Sequence, residues 1–279
     1  MHSPFMEAAK EIKKTIPNAK IALIVPDLPQ FMDLRMGKLK KVLKKIDWIK
    51  IKKLMRCVDK YVLYSKHMAE FLKLKDGSWT VMEGSIKRED VVEVETQKDN
   101  DIISVMYSGV CDLRYGIPEL LDGFSLIEDP NFELWITGAG NAAPLIKERA
   151  EKDKRIKFYG FLPSREDLLK KQKQATMMIN TRKPTEAASA YCFPSKLFEY
   201  MLTGNPVLSF DIKGIPEEYF NYLIKMKEVS PECIKESILK EAEMSEEKRL
   251  ELGKKTKKFV LENKNNIAQA NKILEFVKS

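Results

Sequence analysis

From residue 101 onward the chain alternates short apolar runs with amphipathic ones, and few folds accept that pattern. Residues 102–107, 132–137 (FELWIT), 156–159, 176–180 (TMMIN) and 206–210 (PVLSF) read as buried strands. Residues 115–127, 142–152 and 165–174 read as the helices between them. Apolar strands interleaved with helices specify a parallel, doubly wound α/β sheet. In such sheets ligands sit at the carboxyl ends of the strands.

The most sharply marked element is CFPSKLFEYMLTGNPV, residues 192–207. Pro194 suits a first helical turn, Gly204 suits the left-handed residue that ends a helix, and Pro206 cannot continue one. Leu197, Phe198, Met201 and Leu202 form one apolar stripe. Lys196 and Glu199, three apart, share the other face. A helix start that offers free N–H groups beside Ser195 and Lys196 is expected to attract an anion. The same spacing also fits an ordinary surface ion pair, and spacing alone does not choose.

Several function classes are excluded early. Cys57, Cys111, Cys192 and Cys233 are scattered without a CxxC pair, and His2 and His67 are the only histidines. A zinc site or disulfide framework is not expected, and a reducing cytosol is. No apolar run approaches the roughly 18 residues of a spanning helix. No P-loop is present, and GAG at 138–140 is not a dinucleotide fingerprint. The formal charge of +8 points to anionic partners.

The first third is shorter and more basic. Residues 3–14 read as a helix, 20–25 (KIALIV) as a short buried strand, and 60–64 and 79–82 as further strands. Asp27 falls where the first strand gives way to a loop, a ligand-binding position; capping the turn is the competing role. Residues 34–56 hold ten Lys or Arg and one acid, Asp47, interleaved with Met36, Leu39, Val42, Leu43, Ile46 and Ile49. This is the composition of a helix lying on an anionic membrane surface. A solvated basic face is the plainer reading, and no nucleic-acid signature supports that partner. The polar stretch 87–101 is expected to link two domains. The final helix carries Ile267, Ala270, Ile273, Leu274 and Val277 on one side and is expected to pack by that side, back across the first domain.

Read together, these segments resemble glycosyltransferase family 4, of GT-B fold. YSGVCDLRYGIPELLDGF, FELWITGAG and RIKFYGFLPSREDLLKKQKQATMMINTR resemble the strands and glycine turns of its donor domain, and FPSKLFEYMLTGNPVLSF its ribose-binding helix. IVPDLPQFM, YVLYSKHM and VMEGSI are similar to the second half of its acceptor domain. The likeness is nearest to bacterial transferases of exopolysaccharide and other surface polymers. It implies two Rossmann-like domains facing a cleft: 1–95 on the acceptor side, 96–262 for a nucleotide-sugar donor, and 263–279 as the returning helix. The first domain is expected to be truncated, lacking the family's opening strands and glycine-rich loop.

The resemblance further implies a retaining, metal-independent hexosyltransferase. It would move sugar from a UDP-, GDP- or dTDP-sugar to a lipid-linked or polysaccharide acceptor, in the cytoplasm, peripheral to the inner membrane face. Glu199 matches the family's second glutamate and is expected on the ribose hydroxyls. The first glutamate would fall near Tyr191, with Glu186 as a substitute. The family's diphosphate Arg and Lys are replaced by Val110 and Tyr115, leaving Arg114, Arg182, Ser195 and Lys196 as candidates. Ser108, Gly109, Gly138 and Leu197 complete the expected donor site, and Asp27 stands where relatives carry a histidine near the sugar. The alternatives are a non-catalytic nucleotide-sugar binder or assembly partner, and a nucleotide-sugar epimerase.

Overall fold

A computed structural model describes residues 3–28, 38–97, 101–185 and 187–279. Among them lie two parallel sheets. The smaller has strands β1 (Ala22–Val25), β2 (Lys60–Leu63) and β3 (Trp79–Val81) in the order β1-β2-β3. Helices α1 (Ser3–Thr15), α2 (Lys38–Leu54) and α3 (Lys66–Leu72) accompany it. β2 is central and nearly all buried, as a parallel strand covered on both sides should be. β1 is an edge strand, so the expectation of a buried strand holds only for Val25: Ala22 and Ile24 face outward.

The larger sheet contains β4 (Ile103–Ser108), β5 (Phe132–Thr137), β6 (Ile156–Gly160), β7 (Met177–Asn180), β8 (Val207–Phe210) and β9 (Ile224–Met226). Its order is β6-β5-β4-β7-β8-β9, all parallel. The chain winds outward from β4 to β6, then returns to the other side of β4 for β7. The order therefore reverses between β4 and β7, and a crevice opens there above the strand ends. Helices α4 (Ile117–Ser125), α5 (Ala143–Lys152), α6 (Arg165–Gln174) and α7 (Lys196–Leu202) connect these strands. Three more helices, α8 (Pro231–Ala242), α9 (Glu246–Asn263) and α10 (Asn266–Lys278), finish the chain.

α7 forms where its sequence requires. Leu197, Phe198 and Met201 turn into the core, and Gly204 adopts φ +76°, the left-handed end expected of it. The helix begins at Lys196, after a turn at Pro194 and Ser195.

Contacts between the two sheets are specific. The Ser65 hydroxyl donates to the Ala190 carbonyl at 2.7 Å, and the Tyr191 ring stands edge-on to Phe71, with centroids 5.5 Å apart. α10 returns to the segment after β3: Ile86 and Asn265 form a parallel bridge, and the Gln269 side chain donates to the Gly84 carbonyl at 2.9 Å. The expected packing face of this helix is corrected. Ile267, Ala270 and Leu274 are exposed, while Gln269 is buried, because polar and backbone bonds dock the helix. Among the described residues no helix is long and apolar enough to cross a membrane.

Candidate functional site: the cleft between the two sheets

The carboxyl ends of both sheets open on one cleft of about 590 Å³. The smaller sheet contributes Pro26 and Asp27 after β1, Tyr64 after β2 and Glu83 after β3. The larger sheet and its loops contribute Ser195, Phe198 and Glu199 around α7, and Arg165 at the start of α6. Lys87 and Asp90 close the rim. Asp27, Ser195 and Glu199, far apart in the chain, are thus brought together. Burial pushes the Tyr64 hydroxyl above its usual range, and the nearby Asp27 charge adds to the effect. Tyr64, Lys87, Asp90 and Arg165 were missed by sequence reading. For Tyr64 a signal exists: it ends β2 as Asp27 follows β1.

A second group gathers at the reversal between β4 and β7. Gly138 takes φ +128°, and a Cβ on it would lie 1.8 Å from the Gly109 carbonyl oxygen, so only a glycine at 138 lets these loops touch. The Lys196 side chain passes beside Gly109, 3.9 Å from where a Cβ there would sit. The Arg114 and Arg182 guanidinium groups both lie over the Tyr115 ring, at 5.8 and 5.3 Å from its centroid. Arg182 also donates to the Ser189 hydroxyl at 3.3 Å. Arg114 and Arg182 thus meet at Tyr115, and Lys196 passes Gly109, all in the loops that follow β4 and β7 or at the start of α7. Lys196 joins this group to the cleft, since its ammonium donates to both Glu199 carboxylate oxygens at 2.8 Å.

Three expectations need correction. Leu197 is fully buried and its N–H donates to the Pro194 carbonyl at 2.8 Å, so neither side chain nor amide is open to a ligand. The Phe198 N–H is likewise engaged, by the Ser195 carbonyl at 3.2 Å, so these amides at the start of α7 are not the free donors anticipated. Ser108 is buried, with its N–H and carbonyl both bonded to the Tyr200 hydroxyl, at 2.9 and 2.5 Å, and its hydroxyl accepting from Gln172 at 3.1 Å. It builds the loop rather than facing a ligand. Arg114 is bidentate to Asp112, at 2.9 and 2.8 Å, and the hydrogen bonds hold the Asp112 carboxyl down at about 2. Tyr191, near the expected first glutamate, packs on the smaller sheet's core. Glu186 lies outside the described residues.

Beside the cleft is a buried ionic node. Glu83 accepts from the Lys264 ammonium and the Tyr219 hydroxyl, both at 2.5 Å, and Lys264 also reaches Glu218 at 2.8 Å. Burial pushes the Glu83 carboxyl up, but attraction and hydrogen bonds from Lys264, with help from Tyr219, outweigh it and hold the group below its usual range. The node fixes the exit of β3 against the larger sheet. Among the described residues no three His, Cys, Asp or Glu side chains gather in a way that could hold a metal.

Residues 103–240 match the family model described as glycosyl transferases group 1. No curated protein matches the chain in sequence. Among solved structures the chain is similar to Anabaena HepE in complex with UDP and glucose (TM-score 0.66, 12% identity), over 98% of this chain and 76% of that one. It is also similar to the lipopolysaccharide outer core galactosyltransferase WaaB (TM-score 0.63, 14%, 98% and 78%). A third is a mutant of S. aureus TarM in complex with fondaparinux, alpha-GlcNAc-glycerol and UDP (TM-score 0.68, 14%, 97% and 54%). At these identities the likeness shows the fold, which is GT-B. With the family match over the larger sheet it supports a glycosyltransferase.

Proposed function

We propose that the chain is a family 4 glycosyltransferase that takes a hexose from a nucleotide sugar and passes it to a lipid-linked or polysaccharide acceptor of a surface polymer. The observation that carries this is the convergence of Asp27, Ser195 and Glu199 on one cleft at the carboxyl ends of both sheets. UDP in the HepE and TarM complexes supports a nucleoside diphosphate donor. In this reading residues 1–95 and 96–262 are two domains, and 263–279 ties them. Glu199 accepts the ribose hydroxyls. Arg182, Lys196 and Arg114 stabilise the departing diphosphate at the strand reversal, the place a metal would otherwise fill. Asp27 meets the donor sugar from the opposite wall, and the product keeps the donor's anomeric configuration. Titration calorimetry with UDP, GDP and dTDP is expected to give heat with at least one of them. The result that overturns the reading is no heat with any. Asp27→Asn is expected to lower kcat roughly 10²-fold while leaving nucleotide affinity intact.

A non-catalytic nucleotide-sugar binder is the second reading. It is favoured by Arg114, whose guanidinium is held by Asp112. Sugar transfer or donor hydrolysis by the purified chain removes it.

The acceptor's place at the inner membrane face rests on α2. Ile51 and Leu54 are buried, whereas Val42, Leu43, Ile46 and Ile49 are each more than half exposed among lysines. An apolar ridge in a basic field suits an anionic bilayer; residues 34–37 of this stretch lie outside the described residues. Vesicles with anionic phospholipid are expected to retain the protein at low salt and release it as salt rises. Ile46→Asp/Ile49→Asp is expected to abolish retention. Equal retention by that variant shows the ridge to be a solvated face.

A further inference from the structure

Outside the cleft lies a second depression. Lys254, Lys257 and Lys258 share one face of α9, and Arg88 faces them from the turn after β3. With Glu262 and Asn265 they line a groove of about 510 Å³. Four cations against one lining carboxylate leave the groove net positive, which favours an anion there. Existing ion pairs relieve only part of this. Lys257 bonds Glu93, and the Lys258 ammonium is 3.9 Å from Glu262. Among the described residues no carboxylate lies within ion-pair distance of the Arg88 guanidinium or the Lys254 ammonium.

The groove is also held in shape from behind. The Ile86 N–H donates to the Lys264 carbonyl at 2.9 Å, and the Asn266 N–H to the Ile86 carbonyl at 2.8 Å. The Asn265 side chain donates to the Leu261 carbonyl at 2.8 Å and accepts from Ile267 and Ala268 at 2.9 Å, which joins α9 to α10. Lys87 is extended, so it and Arg88 point to opposite sides: Lys87 lines the cleft and Arg88 the groove.

We infer that this groove binds a phosphate group, carried by a soluble phosphorylated molecule or by a lipid headgroup. Arg88 supplies the planar paired donors, and the lysines supply point charges. The site is separate from the donor crevice and does not depend on the reading given to the cleft. One arm of the test titrates pyrophosphate into Arg182→Gln/Lys196→Gln protein, which lacks the crevice's cations, with and without Arg88→Gln/Lys254→Gln. The other arm uses phosphatidic acid vesicles and Ile46→Asp/Ile49→Asp protein, with and without the same pair. The glutamine pair is expected to weaken binding about tenfold or more, and Arg88→Lys/Lys254→Arg to retain it. Loss in the pyrophosphate arm identifies a soluble ligand, and loss in the vesicle arm alone identifies a headgroup. Undiminished binding by the glutamine pair in both arms, or no binding of either probe by the parent, overturns the inference.

Discussion

Glu199→Ala is expected to remove UDP binding, by more than a hundredfold, while the fold stays intact. A carboxylate that accepts two ribose hydroxyls makes two charged hydrogen bonds, each about 1.5–3 kcal/mol. Their loss together exceeds the roughly 2.7 kcal/mol of a hundredfold change. In the structure both oxygens face Lys196 instead, but that pair is partly exposed and separates at a cost of about 0–1 kcal/mol. The ribose therefore displaces the ammonium cheaply, which frees Lys196 to move toward the diphosphate. The stabilising side of α7 is the other one, where Leu197, Phe198 and Met201 are buried. Thermal unfolding of the variant should thus match the parent. Glu199→Gln keeps one good acceptor and should fall between the two. Unchanged UDP affinity in Glu199→Ala places the ribose elsewhere.

Lys264→Met should be the most destabilising single change in the molecule's polar interior. The Lys264 and Glu83 side chains are 6% and 1% exposed. Removing one partner strands a buried charge, at a cost of about 3–5 kcal/mol. Lys264→Met/Glu83→Gln leaves no such charge and should recover much of the loss in denaturant unfolding. A double variant no more stable than the single one contradicts the ionic account. The pH dependence follows from the lowered Glu83 pKa. A carboxyl that binds protons more weakly when folded stabilises the protein above the usual glutamate range, and that contribution is lost as pH falls through the lowered value. Without Lys264 burial raises the Glu83 carboxyl instead, so the deficit of Lys264→Met should shrink as pH falls and Glu83 takes up a proton, and the acid sensitivity of this node should vanish in the double variant.

The node also shows why parts of the site could not be read in advance. Glu83 stands in the sequence as an ordinary polar residue at a strand end. It is buried because Lys264, 181 residues away, arrives to neutralise it. Asp112, two residues before Arg114, forms the fork that orients its guanidinium, a partner legible locally in the sequence. Leu197 belongs to the apolar stripe of α7, and that place in the stripe marks it as core in the sequence itself. The edge position of β1 had no local signal, since KIALIV is apolar throughout and only the strand order leaves Ile24 outside.

The sequence alone determined the repeated strand-and-helix units of the larger sheet, the left-handed end of α7 at Gly204 and the placing of Glu199 opposite the buried stripe. Those features depend on period, glycine and proline, which act within a few residues. Only the tertiary structure decided that the strand order reverses between β4 and β7, that Gly109 and Gly138 meet there, and that Asp27 faces Glu199 across a cleft. These depend on which loops pack together, and packing is decided by contacts between residues tens to hundreds of positions apart.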